Sequence, residues 1–116
     1  LEEMFGAILN RKLPARAALP NFLKPVMRSY QKLGFQWLKM LQYYNLAGIL
    51  ADDMGLGKTV QAISVLSTLP QDSKSLVICP KTLLFNWAAE IRKFNPALSH
   101  QIYEGNQKER KKILET

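Results

Sequence analysis

The sequence predicts an α/β fold in which a parallel sheet is flanked by helices, and three observations support this prediction. Three short runs have the length of strands, and the first two read as strands buried on both faces. A helical pattern follows each run, which is the alternation typical of parallel sheets with right-handed crossovers. A glycine-rich turn joins the first run to its helix. The predicted strands are 46–51 (LAGILA), 75–79 (SLVIC) and 100–104 (HQIYE).

The composition is that of one small basic domain. The chain has 116 residues, of which 47% are hydrophobic, and a net charge of +7. This excess of positive charge favours polyanionic partners such as nucleotides or nucleic acid. A single cysteine, Cys79, excludes an internal disulfide, and with the single histidine, His100, it excludes a metal site built from these residue types. The single cysteine fits a reducing, intracellular compartment. The apolar runs are too short to span a membrane, so we expect no membrane partner.

Two segments precede the first predicted strand. Residues 1–27 carry a short apolar pattern and then three prolines, which predicts a lead-in segment and not part of the core. Residues 28–44 carry apolar side chains at spacings of three and four, which predicts a helix that Asn45 ends. Gly34 within this helix favours a close contact with a neighbouring element. The predicted inward face is Tyr30, Leu33, Trp37, Leu41 and Tyr44.

The stretch DDMGLGKT, from Asp52 to Thr59, has the residues of a phosphate-binding loop. Glycine can adopt positive φ, so that successive backbone N–H groups point at phosphate oxygens where the next helix begins. In such a loop Lys58 reaches the β- and γ-phosphates and is the predicted catalytic residue, whereas the Thr59 hydroxyl binds Mg²⁺. The predicted nucleotide-binding residues here are Asp53, Met54, Gly55, Leu56, Gly57, Lys58 and Thr59. The alternative is a tight strand-to-helix turn in which Lys58 is a solvated surface charge.

Helical patterns follow the three predicted strands. The first begins at Lys58 and ends at Leu69, before Pro70. The second is capped by Thr82 and ends at Asn95, and the third is a basic helix over 107–115. The predicted inward side chains are Ala62, Ile63, Leu66 and Leu69 in the first helix and Leu84, Trp87, Ile91 and Phe94 in the second.

Three blocks of the sequence resemble motifs of the Swi/Snf-type DNA-dependent ATPases, the chromatin-remodeller branch of the superfamily-two helicases. RSYQKLGFQWL resembles the glutamine motif, ILADDMGLGKTVQAI the phosphate-loop motif, and LVICPKTLLFNWAAEIRKF the motif that follows. Asp53 stands where the resembled family more commonly has glutamate. The resemblance implies that residues 28–116 are the N-terminal, incomplete part of a first RecA-like lobe, with ATP and Mg²⁺ as ligands.

The resemblance also implies roles for three further residues. Gln31 would read the adenine edge, since one carboxamide offers both an acceptor and donors; the alternative is an exposed polar residue on the helix. Lys81 and Thr82 would contact the backbone phosphates of one DNA strand without reading its sequence. The alternative for this pair is a strand end followed by a capped helix that binds nothing.

ATP hydrolysis on this scaffold also needs a second carboxylate pair, one member supporting Mg²⁺ and the other acting on the attacking water. No such pair follows a strand after Cys79. The arginine that the second lobe supplies in the resembled family is absent too. We therefore expect an ATP-binding fragment of a translocase that moves on double-stranded DNA, with the rest of the motor as its partner. The 116 residues alone are not expected to hydrolyse ATP.

Two other functions stay open. One is a truncated P-loop kinase or other NTPase, although the glutamine block and the block after Cys79 argue against it. The other is a non-catalytic nucleic-acid-binding module whose glycine loop is vestigial, which the net positive charge permits. The expected location is the cytoplasm if the protein is bacterial and the nucleus if it is eukaryotic.

Overall fold

A computed structural model describes residues 18–51 and 57–115, and these residues form four α-helices. The chain divides into two compact units, Leu1–Ser75 and Leu76–Thr116. The first unit holds two of the helices and the second unit holds the other two. The helices are α1 (Ser29–Tyr43), α2 (Lys58–Leu66), α3 (Leu84–Phe94) and α4 (Gln107–Leu114), and a 3₁₀ turn, Lys81–Leu83, precedes α3.

The predicted parallel sheet is wrong, because the described residues form no strand at 46–51, 75–79 or 100–104. Helices make their hydrogen bonds within one segment, whereas a strand satisfies its backbone groups only beside a second strand. Several apolar side chains of these runs are largely exposed, such as Ile49 at 85% and Ile78 at 87%. Strand-like composition is therefore present, but no strand pairing follows from it in this part of the chain.

The helix predicted over 28–44 is confirmed as α1, and its end has a clear physical cause. Asn45 adopts a left-handed backbone conformation, with φ of 56°. Its N–H donates to the carbonyl of Gln42 at 3.1 Å, and the N–H of Leu46 donates to the carbonyl of Leu41 at 2.8 Å. This pair of bonds satisfies carbonyl groups that a helix end otherwise leaves without partners.

The predicted inward face of α1 is right only in part. Trp37, Leu41 and Tyr44 are half-buried. Leu33, however, is 70% exposed, whereas Phe35 is fully buried and Met40 nearly so. Both faces carry apolar side chains at helical spacing, so the periodicity of α1 alone could not decide which one meets α2. The lead-in segment also joins this core in its described part, since Leu23 is fully buried and Met27 almost so.

Helix α2 packs against α1 through a close approach at Gly34. A Cβ atom at Gly34 would collide with the side-chain amide of Gln61, so only glycine leaves room for that side chain. This confirms the close contact predicted at Gly34. The segment after α1 packs back on α1 itself, because a Cβ at Gly48 would meet the side chains of Trp37 and Leu41.

Helix α2 begins at Lys58 as predicted but ends at Leu66, three residues before the predicted end. Two hydroxyls bind helix carbonyls where it ends: Ser67 Oγ donates to Ile63 O and Thr68 Oγ1 to Val65 O, each at 2.7 Å. Such side-chain bonds compete with continuation of the helix. The predicted inward face is right only for Ile63, and the side chains buried in α2 are Val60, Gln61, Ile63 and Ser64.

In the second unit, α3 and α4 lie close to their predicted positions. Ile91 of α3 is buried, and the other predicted apolar residues of its face are half-buried. Thr82 does not cap α3, because it lies inside the 3₁₀ turn and the residue before α3 is Leu83. Helix α4 is capped by Asn106, whose Oδ1 accepts the N–H of Glu109 at 2.8 Å.

Within residues 18–51 and 57–115, no helix is both long enough and apolar enough to cross a membrane.

Candidate nucleotide-binding site

The start of α2 has the geometry of an anion-binding helix end. Gly57 precedes the helix in a left-handed conformation, with φ of 79° and ψ of 47°. Only glycine adopts this conformation without strain. Lys58 and Thr59 are the first two helical residues and both are half-buried. The first N–H groups of a helix have no partner within it, and the helix dipole is positive at this end, so a phosphate group fits here.

The charges of the first turn of α2 also favour an anion. No acidic side chain lies in the first turn of α2. An aspartate or glutamate there would occupy the positive end of the helix and compete with a phosphate for the N–H groups. The ammonium group of Lys58 adds a positive charge at the same end.

Four of the predicted nucleotide-binding residues lie outside the described residues. They are Asp53, Met54, Gly55 and Leu56. Their roles stay predictions.

Gln31 lies against the end of the loop. Its side chain is 7% exposed, and a Cβ atom at Gly57 would collide with its Nε2 atom. Its Oε1 atom accepts the backbone N–H of Arg28 at 2.8 Å, which fixes the side chain at the start of α1. The alternative of an exposed polar residue is therefore wrong. Gln31 of α1 and Gly57 of the loop adjoin each other, as residues of one site would.

A second buried glutamine in this region was missed by the sequence analysis. Gln61 is fully buried, and its Nε2 donates to the carbonyl oxygen of Gly57 at 3.4 Å. The available signal was a polar residue next to the phosphate loop, on the same helix as the predicted core residues. A buried carboxamide needs hydrogen bonds to offset its desolvation, so it is placed where such a bond is available.

A Mg²⁺ ion at this site would come with the nucleotide phosphates. The described residues contain no group of three or more His, Cys, Asp or Glu side chains that could hold a metal ion. The Thr59 hydroxyl is an oxygen donor of the kind Mg²⁺ accepts, and Mg²⁺ is commonly bound by few protein ligands together with phosphate oxygens and water. The residues present are compatible with a Mg²⁺ nucleotide, for which the ion supplies charge neutralisation of the phosphates.

Lys81 and Thr82 belong to the second unit. Both are exposed, and both lie in the 3₁₀ turn before α3, where Leu83 N donates to Pro80 O at 2.9 Å. An exposed lysine beside a helix start is accessible to a backbone phosphate. Of the predicted site residues, the structure thus brings together Gln31, Gly57, Lys58 and Thr59 in the first unit and Lys81 and Thr82 in the second.

Residues 30–116 match the family model described as SNF2-related domain. The chain belongs to this family. The SNF2-related domain family is the one that the three sequence blocks resemble, so the recognition of a Swi/Snf-type, helicase-like ATPase family is confirmed.

Curated relatives agree with the family match. The chain is 44% identical over 100 residues to Helicase SWR1 of Cryptococcus neoformans, covering 83% of this chain and 8% of the relative. It is 47% identical over 96 residues to the chromatin-remodeling ATPase INO80 of Candida albicans, covering 79% of this chain and 7% of the relative. It is 43% identical over 97 residues to human lymphoid-specific helicase, covering 81% of this chain and 12% of the relative. The chain thus spans a small part of each of these proteins.

Proposed function

We propose that this SNF2-related chain binds Mg²⁺-ATP through the start of α2 and the adjoining surface of α1. The observation that supports this most directly is Gly57, which turns the chain in a left-handed conformation into a helix beginning with Lys58 and Thr59. The N–H groups at the start of α2 and the Lys58 ammonium bind phosphate oxygens. The Thr59 hydroxyl is a ligand of Mg²⁺, and Asp53, Met54, Gly55 and Leu56 form the rest of the loop.

The base lies on the α1 side of the site in this proposal. Gln31 is held next to Gly57, so a nucleotide whose phosphates lie at the start of α2 can place its base near this carboxamide. The Oε1 atom already accepts one hydrogen bond from Arg28, but a carbonyl oxygen has two lone pairs and can accept a second. Gln31 is thereby suited to contact the adenine edge.

The parent protein, in this proposal, couples ATP hydrolysis to movement on double-stranded DNA in the nucleus. The relatives named above carry the words helicase or chromatin-remodeling ATPase in their names and come from eukaryotes. Lys81 and Thr82 contact backbone phosphates of one strand. Because the sequence contains no pair of adjacent acidic residues after Cys79, the chain by itself binds ATP without turning it over, and the rest of the motor is its partner.

Calorimetry of Mg²⁺-ATP binding to the 116-residue chain tests the nucleotide proposal, with phosphate release followed in the same samples. We expect binding by the wild type, loss of at least tenfold in affinity in Lys58→Ala, and no phosphate release, because a charged hydrogen-bond donor to the phosphates is worth about 1.5–3 kcal/mol. Lys74→Ala, which removes an exposed lysine of the same unit, is the matched control and should bind as the wild type does. Equal affinities in wild type and Lys58→Ala would contradict the proposal.

Salt dependence of duplex binding tests the DNA proposal. If Lys81 contacts a phosphate, Lys81→Ala should weaken binding uniformly across DNA sequences and reduce the slope of log affinity against log salt by about 1. Lys93→Ala removes another exposed lysine of the second unit and should leave the slope unchanged. A sequence-dependent loss, or an unchanged slope in Lys81→Ala, would contradict a phosphate contact.

The nucleic-acid-binding module is the second candidate function, and the net charge of +7 favours it. It predicts duplex binding by the chain with no effect of Lys58→Ala on any nucleotide affinity. Family membership makes a truncated kinase the weaker alternative, because the matched region includes most of the glutamine block and the block after Cys79 as well as the phosphate loop.

A further inference from the structure

Gln61 occupies the space between α1 and α2 beside the phosphate loop. Its side chain is fully buried, its Nε2 donates to the Gly57 carbonyl oxygen at 3.4 Å, and its amide fills the space that Gly34 leaves open. Ser64 Oγ donates to the backbone carbonyl of Gln61 at 2.5 Å, one turn further along α2. The Nε2 atom of Gln61 therefore contacts Gly57, the last glycine of the loop, and its Oε1 atom lies against α1 at Gly34.

Gln31 and Gly34 lie one turn apart on α1, on the side that meets α2. Gln31 approaches Gly57 directly, and Gln61 reaches both Gly57 and Gly34. Two carboxamides thus connect one turn of α1 with a single loop residue. A methionine of similar length would fill the space beside Gly34 without the desolvation cost of an amide, so the polar group is explained by its bond to Gly57.

We propose that Gln61 is a positioning residue that holds Gly57 at a fixed position relative to α1, so that Gln31 and Lys58 contact the base and the phosphates of one nucleotide together. This inference rests on the proposed nucleotide binding. Gln61 itself touches no part of the nucleotide and acts through Gly57. In this proposal Gln61 affects how well Gln31 and Lys58 can bind the base and the phosphates at the same time.

Two binding subsites held in register give a linked ligand an affinity that neither subsite provides alone. If Gln61 maintains that register, its loss should lower the affinity for ATP more than the affinity for inorganic tripolyphosphate, which reaches only the loop. A side chain that merely stabilised the fold would change the melting temperature and leave the ratio of the two affinities unchanged in the folded protein.

The experiment is a calorimetric titration of the full 116-residue chain with Mg²⁺-ATP and, separately, with Mg²⁺-tripolyphosphate, in wild type and Gln61→Met. Methionine keeps the length and the packing, so the variant should retain its helical circular dichroism. We expect the advantage of ATP over tripolyphosphate to fall about three- to tenfold, which corresponds to the loss of one hydrogen bond. Gln107→Met replaces an exposed glutamine of α4 and should leave the ratio unchanged.

A pair of variants at Gly34 tests whether the effect passes through Gln61. Gly34→Ala should mimic Gln61→Met, because the new Cβ displaces the amide. In a Gln61→Ala background the same change should have no further effect on the ATP advantage, since the shorter side chain leaves room for the methyl group. Additive losses from the two changes would show that the spacing of the helices matters independently of Gln61 and would overturn the inference.

The outcomes also separate this inference from the function on which it rests. Binding of ATP that Lys58→Ala does not weaken would overturn the proposed function and the inference together. Binding that depends on Lys58, with the same ATP advantage in Gln61→Met as in the wild type, would overturn the inference alone.

Discussion

The two units of the chain differ in where their apolar side chains lie. Among the described residues, the first unit buries apolar side chains from the segment before α1, from α1 itself and from α2, whereas the second unit buries only Ala88 and Ile91. Leu76, Ile78 and Phe85 of the second unit are 81%, 87% and 64% exposed. The buried apolar residues of the first unit are Leu19, Leu23, Met27, Phe35, Met40, Val60 and Ile63.

The helices of the two units therefore depend on different sources of stability. Short helices are marginal in water, and most of their stability in proteins comes from packing an apolar face. In the first unit that packing is present between α1 and α2. Helix α4 of the second unit has no buried residue and depends on its own cap, in which Glu109 Oε2 also accepts the Asn106 N–H at 3.3 Å. Four predictions can be drawn from this description of the two units, in order of expected effect.

Truncation of one aromatic side chain in each unit should give the largest difference. Phe35→Ala removes a fully buried ring and should lower the free energy of unfolding by roughly 3–5 kcal/mol, whereas truncation of the exposed Phe85 should change it by less than about 0.5 kcal/mol. Urea denaturation followed by far-UV circular dichroism measures both. Similar losses in the two variants would show that Phe85 is covered in solution and would break the contrast.

Glycines in the two units are required for different reasons, which a pair of double variants can separate. Gly34→Ala should destabilise the first unit by about 1–2 kcal/mol, because the clash with Gln61 exceeds the gain in helix propensity. Adding Gln61→Ala should remove the clash penalty. Gly105→Ala should also be destabilising, but Glu109→Ala should relieve only the clash with that side chain, since the φ of 103° at Gly105 is unfavourable for alanine in any surroundings. Full relief in both cases, measured by thermal unfolding, would contradict the distinction.

Loss of the cap should affect α4 alone. Asn106→Ala removes the side chain that accepts the Glu109 N–H and should cost about 1 kcal/mol of helix stability. Amide hydrogen exchange measured residue by residue should show faster exchange in Gln107–Leu114 and no change in α1. Asn86→Ala, at an exposed position within α3, is the control and should not accelerate exchange in α4.

The smallest predicted effect is a pH dependence in the first unit. Lys39 Nζ donates to Gln42 Oε1 at 2.6 Å and to Thr68 Oγ1 at 3.0 Å, and burial lowers the pKa of Lys39 from 10.5. The unfolded chain therefore binds this proton more tightly than the folded chain, so the contribution of Lys39 to stability should rise as the pH increases from the lowered pKa toward 10.5.

Thermal unfolding at a series of pH values in wild type and Lys39→Met measures this contribution. The stability of the wild type should increase relative to the variant toward high pH. Lys74→Met is the control for removal of an exposed lysine of the same unit. A difference between wild type and Lys39→Met that falls as the pH rises would have the wrong sign for a pKa lowered by burial.

Local patterns in the sequence were sufficient to predict the helices and the glycine turn that precedes α2. All four helices of the described residues lie close to where the periodicity predicts them, although α2 ends three residues early and Thr82 does not cap α3. The glycine turn at Gly57 was also predictable, because it involves only residues that are adjacent in the sequence, Gly57 and the Lys58 and Thr59 that begin α2. The motif blocks also sufficed to recognise the family, which the match over residues 30–116 confirms.

The tertiary structure decided what depends on partners distant in the chain. Leu33 and Phe35 are both apolar residues of α1, and only the position of α2 determines that Phe35 is buried and Leu33 exposed. The three strand-like runs have the right composition, but a strand requires a second strand beside it, and the described residues form none. The contact of Gln61 with Gly34 likewise appears only once α1 and α2 pack, because it joins residues from two helices.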